Sequence, residues 1–308
     1  MTEKSKNIFC FGLGYSALAT LRQLKAEGWE VAGTVRTQVK ADALAKEGIE
    51  TFVYHEGARI GRILQRLNQA SHILQSVPLM DVEPQSVCEV DQSQELDWKD
   101  PIFDRFKGWV ADARPVWFGY LSTTVVYGNH DGAEVTEETP VAPTGKRGKR
   151  RVAAENMWTN TGVPNHVFRL AGIYGPGRNA LVSLKKGKAK RIDKPGQVFS
   201  RIHVDDIAAT LIASIKAPVA KPFKPEVYNV CDTESAPPQD VIAYAADLLG
   251  MDPPPLVDFD PDSMTPMARS FYSDNKRVSS AKIRDVLGVK LKYPTYRDAL
   301  QVLVKDMD

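Results

Sequence analysis

A short apolar run, Asn7–Phe11, stops at Gly12-Leu13-Gly14-Tyr15-Ser16-Ala17, and helical periodicity starts directly after it. Leu18, Leu21 and Leu24 recur on one face, Gly28 halts the helix, and Trp29–Val35 alternates like a second strand. A β-turn-α-β unit of about 30 residues leaves few folds open, because a parallel second strand needs a crossover helix packed on the sheet. The turn fits G-x-G-x-x-G/A. Its first glycine permits the tight turn, its second lets the backbone approach a diphosphate, and a small third residue lets helix and strand pack closely. Free amides and the positive end of the helix dipole then hold the anion. The pattern predicts dinucleotide binding by Gly12, Leu13, Gly14, Tyr15, Ser16 and Ala17.

The end of the second strand selects the dinucleotide. An acid there binds a ribose 2′-hydroxyl, whereas arginine accommodates a 2′-phosphate. This chain reads Gly33-Thr34-Val35-Arg36-Thr37, with no acid before Asp42. A guanidinium makes bidentate, charge-assisted bonds to phosphate, so Arg36 favours NADP, with NAD still admissible. The plain alternative for Arg36 is a solvated surface side chain. By topology, Ser76-Val77-Pro78 at the end of the fourth strand lines the nicotinamide side of the cleft. Glu56, after the third strand, lies near the adenine or on the surface.

The alternation continues along the chain. Helices are predicted at 41–46, 60–68 and 152–160, and strands at 51–54, 71–77, 116–122 and 166–170. Strands separated by helices imply an α/β fold with a doubly wound, mostly parallel sheet covered on both faces. The tail adds a strand at 226–230 and helices at 238–249 and 276–287, a smaller C-terminal α/β lobe. Residues 81–104 carry eight acids and one base and read as an exposed acidic loop. Basic runs at 146–151 and 185–194 read as solvated faces. Asp205 and Asp206 are placed to cap a helix at Ile207–Ile215.

Composition narrows the partners. The formal charge is +2, too near neutral for a dedicated nucleic-acid binder. Cys10, Cys88 and Cys231 cannot all pair and form no CxxC, which fits reduced thiols in a cytoplasmic protein. The five histidines show no metal-ligand spacing, so no metal is expected. Lys4 and Lys6 before an apolar stretch, with Ala17-Leu18-Ala19 after it, mimic a secretion signal, but that stretch also reads as strand, glycine turn and helix. No other segment approaches the ~18 apolar residues of a membrane span.

Four further segments, in order, resemble the extended short-chain dehydrogenase/reductase superfamily, the group of sugar-nucleotide epimerases and dehydratases. They are Tyr120–Gly128 (YLSTTVVYG), Arg169–Arg178 (RLAGIYGPGR), Arg201–Asp206 (RIHVDD) and Tyr228–Asp232 (YNVCD). The resemblance implies a Rossmann sheet for 1–175, completed by about 200–218, and a substrate lobe from 176–199 and 219–308. It also implies catalysis by Ser/Thr and Tyr-x-x-x-Lys, with the tyrosine as acid/base and the lysine lowering its pKa. Thr123 matches the hydroxyl, although β propensity alone also explains a threonine there. The Tyr-x-x-x-Lys pair is missing: counted back from Glu155, its positions hold Arg147 and Arg151. Arginine has no acceptor and stays protonated, so Arg151 replaces only the lysine's charge and Arg147 suits an anionic substrate. A charged helix start without a special role is the plain alternative for both. Arg201 and His203 stand where the superfamily places substrate contacts. A homodimer is open by analogy.

Two functions follow from the sequence. One is an NADP-dependent oxidoreductase or epimerase/dehydratase-like enzyme acting on an anionic small molecule. The other is a non-catalytic NADP-binding sensor, because the phenol is missing.

Overall fold

The computed structural model describes residues 6–82, 97–218 and 223–307. Cys88, the acids at 83, 89, 91 and 95, and Lys4 lie outside them. A seven-stranded sheet is built from β1 (Asn7–Phe11), β2 (Glu30–Val35), β3 (Glu50–Val53), β4 (His72–Gln75), β5 (Trp117–Thr123), β6 (Asn165–Leu170) and β7 (Glu226–Val230). Its order is β3-β2-β1-β4-β5-β6-β7, and the pairings β1–β2, β2–β3, β1–β4 and β4–β5 are parallel. Every residue of β1 is buried. A strand buried on both faces reads as a continuous apolar run, which is why Asn7–Phe11 shows no alternation.

The chain divides into two compact units. The first is Met1–Leu121, Arg150–Val167 and Pro218–Glu226; the second is Ser122–Lys149, Phe168–Ala217 and Val227–Asp308. In the first, helix α1 (Tyr15–Ala26) follows the glycine turn, and α2 (Gln38–Lys46) and α3 (Gly61–Leu67) follow β2 and β3. The Phe11 ring lies 4.9 Å from Phe106, which also meets Tyr54 edge-on at 5.3 Å. In the second unit, Leu181, Leu184, Val241, Ala245, Leu300 and Leu303 share one apolar cluster with Tyr174 and Tyr296. Helix Tyr296–Leu303 is fixed there by a capping box between Thr295 and Asp298.

Three expectations are corrected. Residues 81–104 are not all an exposed loop: Trp98–Lys99 pairs antiparallel with Met80–Asp81, and α4 runs over Pro101–Asp112. Asp100 is buried and accepts from the Ile102 and Phe103 amides, while Ile102, Phe106 and Val110 repeat every four residues on the buried face. The helix expected at 276–287 shortens to Ala281–Asp285, because Arg277–Val278 pairs with Glu134–Val135 instead. The helix expected at 152–160 begins six residues earlier, so α5 spans Lys146–Thr159 and the basic run forms its first turns.

Asp100 also accepts from Trp158 Nε1 at 2.8 Å and from Gln75 Nε2 at 3.2 Å. One carboxylate thereby ties β4, α4 and α5 together inside the first unit. Asp100→Ala leaves two buried donors unpaired and uncaps α4, so a loss of about 3 kcal/mol in denaturant-measured stability is expected; a loss below about 1 kcal/mol would contradict this role.

Candidate functional site

The glycine turn takes its shape from β2. Gly12 N donates to Thr34 Oγ1 at 2.8 Å and Leu13 N donates to the Thr34 carbonyl at 2.8 Å. Gly12 sits at φ +84°, and a Cβ there would meet Val77 Cγ2 at 2.8 Å. At Gly33 a Cβ would meet the Cys10 carbonyl at 2.5 Å and the Leu13 side chain at 2.8 Å. The protein's own packing therefore demands both glycines. Gly14 is different. Its φ is −79° and a Cβ would find nothing nearer than Ser76 Oγ at 3.9 Å. The fold does not require glycine at 14.

Gly14 is the N-cap of α1, no side chain caps the helix, and its first turn carries no acid. The positive end of a twelve-residue helix is thus left open to an anion. Ser16 and Ala17 are buried beneath it, Ala17 completely, as close packing on the sheet requires, while Tyr15 is half exposed.

A cleft of about 920 Å³ opens from this turn within the first unit. Gly12, Leu13 and Gly14, Arg36, and a wall of Ser76, Val77 and Pro78 all line it. The wall is held by Gln75, whose Oε1 accepts from Val77 N at 2.9 Å while its Nε2 reaches Asp100. Arg36 is exposed and makes no hydrogen bond or ion pair among the described residues. Lys40, one helical turn beyond it, donates to the Leu13 carbonyl at 2.6 Å. Sequence reading missed Lys40, although its spacing from Arg36 was visible. Glu56 lines the cleft paired with Lys99 at 2.8 Å. An elongated ligand with phosphates near Gly14 and Arg36 fits these charges.

The other proposed residues are placed as follows. Arg151, in the first unit, donates to Tyr120 Oη at 2.7 Å and to the Leu121 carbonyl at 3.3 Å, fastening α5 to β5. In the second unit, Thr123 Oγ1 accepts from Val125 N at 3.4 Å, and the exposed Arg147 lies over the Phe271 ring at 6.0 Å. Arg201 donates to the carbonyls of Phe199 and Ala236. His203 is 1% exposed and caps helix Val204–Lys216 by accepting from Asp205 N. This corrects the capping expected of Asp205 and Asp206: the Asp206 carboxylate instead accepts from the Lys292 and Tyr293 amides.

Tyr120, Tyr127 and Tyr174 do not show the lowered pKa that a general base needs. Burial pushes Tyr120 well above its ordinary range, outweighing Arg151. Burial likewise raises Tyr127, whose hydroxyl bonds Arg169 and Asn229, and Tyr174. Cys10 and Cys231 are buried free thiols, both raised by burial. Among the described residues no group of three or more His, Cys, Asp or Glu is placed to hold a metal ion, and no helix is long and apolar enough to cross a membrane.

No family model matches the chain. Protein YeeZ of Escherichia coli K12 is 26% identical over 254 residues, covering 81% of this chain and 86% of YeeZ. A functionally unknown conserved protein from Silicibacter pomeroyi is 45% identical, with a TM-score of 0.83, covering 99% of this chain and all of that one. A dTDP-glucose 4,6-dehydratase from Bacillus anthracis, solved in complex with NAD, shares 16% identity at a TM-score of 0.71, covering 98% of this chain and 96% of its own. At that identity the likeness is one of fold.

The second unit also holds a displaced titration. Burial, opposed by Arg201 and the Glu234 amide, pushes the Asp232 carboxyl from 3.8 up to about 8. The folded chain then binds this proton more tightly than the unfolded chain does, so ionising it costs stability. The wild type is expected to lose stability relative to Asp232→Asn as pH rises from about 4 to about 8, with no further change above. Burial lowers His203, which faces the same interior, to about 4, and this acts in the opposite sense below about 6.5 in both proteins. Thermal unfolding across this range checks it; a difference independent of pH would contradict it.

Proposed function

The chain belongs to one family with the Silicibacter pomeroyi protein and has the fold of the extended short-chain dehydrogenase/reductase superfamily, and from that premise we propose that it binds NADP(H) in the cleft of its first unit. The observation that carries this reading is Gly14: a glycine that the fold does not need, at an uncapped helix start lining a cleft of about 920 Å³. Gly12, Leu13 and Gly14 would hold the diphosphate. Arg36, with Lys40 behind it, would hold the 2′-phosphate, and Ser76-Val77-Pro78 would flank the nicotinamide. The Bacillus anthracis dehydratase was solved with NAD, and Arg36 at the end of β2 is the residue that favours the phosphorylated form here.

The finer reading is an oxidoreductase acting on a small anionic substrate. When bound, the nicotinamide supplies hydride transfer. Thr123 would orient a carbonyl by its hydroxyl, and the exposed Arg147 guanidinium suits a carboxylate or phosphate. A second reading, an NADP-binding sensor without catalysis, is favoured by one observation: Tyr120, Tyr127 and Tyr174 are all shifted away from acid/base use, with burial as the first cause. NADPH oxidation driven by carboxylate- or phosphate-bearing carbonyl compounds, and lost in Thr123→Val, supports the enzyme. Tight NADPH binding with no oxidation across such a panel supports the sensor.

Arg36→Glu is expected to weaken NADPH at least tenfold more than NADH, the order of one charge-assisted phosphate contact; equal losses would remove the phosphate role. Gly14→Val is expected to abolish binding of both nucleotides while circular dichroism still shows a cooperatively folded protein, since a Cβ has room at position 14 but not beneath a diphosphate. Retained binding in Gly14→Val would overturn the placement.

A further inference from the structure

Four buried polar atoms of the second unit are without partners among the described residues: Tyr174 Oη, His203 Nε2, Asp232 Oδ2 and Tyr296 Oη. Their residues are 8%, 1%, 3% and 1% exposed. The fold brings their residues near one another by several contacts. Strand Gly172–Tyr174 pairs with Arg201–His203 in a register that sets Tyr174 beside His203, with their rings edge to face at 5.4 Å. Asp232 N donates to the Arg201 carbonyl at 2.7 Å, which fixes Asp232 on the same strand pair. The Arg201 guanidinium lies 6.0 Å from the Tyr296 ring, and its positive charge opposes the burial that raises Asp232, Tyr174 and Tyr296.

The inventory of donors and acceptors suits water, which can both donate and accept. His203 Nδ1 accepts from Asp205 N, so the neutral ring carries its proton on Nε2, a donor with nothing to receive it. Asp232 Oδ1 accepts from Glu234 N, while Oδ2, a donor when the carboxyl is protonated and an acceptor when it is ionised, has no partner among the described residues. Each phenol offers one donor and lone pairs. Rotation about a side-chain bond gives no easy escape: the His203 ring is clamped between Tyr174 and Tyr293, 4.2 Å away on its other contact, and Tyr296 meets Tyr244 at 5.9 Å. Leaving one such atom unsatisfied costs about 1–3 kcal/mol, and four would consume much of a typical folding free energy of about 5–15 kcal/mol. Buried water resolves this kind of deficit, given two to four polar partners per molecule.

We propose that the second unit contains an internal hydration site in which ordered water bridges Asp232 Oδ2 to Tyr174 Oη, Tyr296 Oη and His203 Nε2 beside the Arg201 guanidinium. The water is structural: it completes the polar interior beneath strand Arg201–His203 and does not depend on nucleotide binding. It also gives Arg201 and Asp232 a bridge where no direct ion pair joins them among the described residues.

A crystal structure of the full chain at a resolution that shows ordered solvent tests this directly. Density for water is expected within hydrogen-bonding distance of at least two of the four atoms, in nucleotide-free and NADPH-soaked crystals alike. Direct side-chain bonds among the four, a channel of bulk solvent reaching them, or a dry interior would each overturn the proposal. Tyr174→Phe supplies the second measurement. It removes one partner while keeping the ring, so the water should be lost or shifted and Tm should fall by about 3 °C. An unchanged water position and Tm would overturn the part assigned to Tyr174.

Discussion

Two backbone amides bound to one threonine govern the first unit. Gly12 N and Leu13 N both spend their hydrogen bonds on Thr34, through its hydroxyl and its carbonyl. The turn after β1 is thereby pinned to β2, and Leu13 can tuck under it only because residue 33 has no side chain. That anchoring starts α1 at Gly14 with no side chain capping it, and it leaves Arg36, two residues past Thr34, lining the same cleft. Cofactor recognition in this account follows from strand pairing and two glycine clashes, before any ligand is considered.

The cleft's wall depends on a buried carboxylate. Asp100 receives the Trp158 indole, the Gln75 amide and two helix amides, and Gln75 in turn holds Val77. A buried charge is stable only when its lone pairs are taken up, and here four donors do so. The residues that supply them sit on β4, α4 and α5, so the wall bearing Ser76-Val77-Pro78 is rigid for the same reason that the unit is stable.

Local chemistry was legible in the sequence, and contacts between distant segments were not. The glycine turn, the strand after it and Arg36 could be read because adjacent residues determine them. Helix α4 was also written plainly, in Asp100-Pro101 followed by Ile102, Phe106 and Val110, but the surrounding acids suggested a solvated loop. Asp205 and Asp206 look like caps until Lys292 and Tyr293, more than eighty residues later, claim the Asp206 carboxylate. Arg277–Val278 leaves its expected helix for a strand partner at Glu134–Val135. In the candidate site, Lys40 follows Arg36 by one turn and was readable, whereas the capture of Arg151 by Tyr120 and Leu121 depends on tertiary packing.

The chain has a divided character: its first unit carries a glycine turn at an uncapped helix start on a cleft, while its α5 carries Arg147 and Arg151 where the superfamily resemblance implies a tyrosine and a lysine. Calorimetric titration of the wild-type protein with NADPH and with NADH tests the central claim most directly. The account predicts heat from one-to-one binding of NADPH, with NADH weaker; no heat from either nucleotide would contradict it.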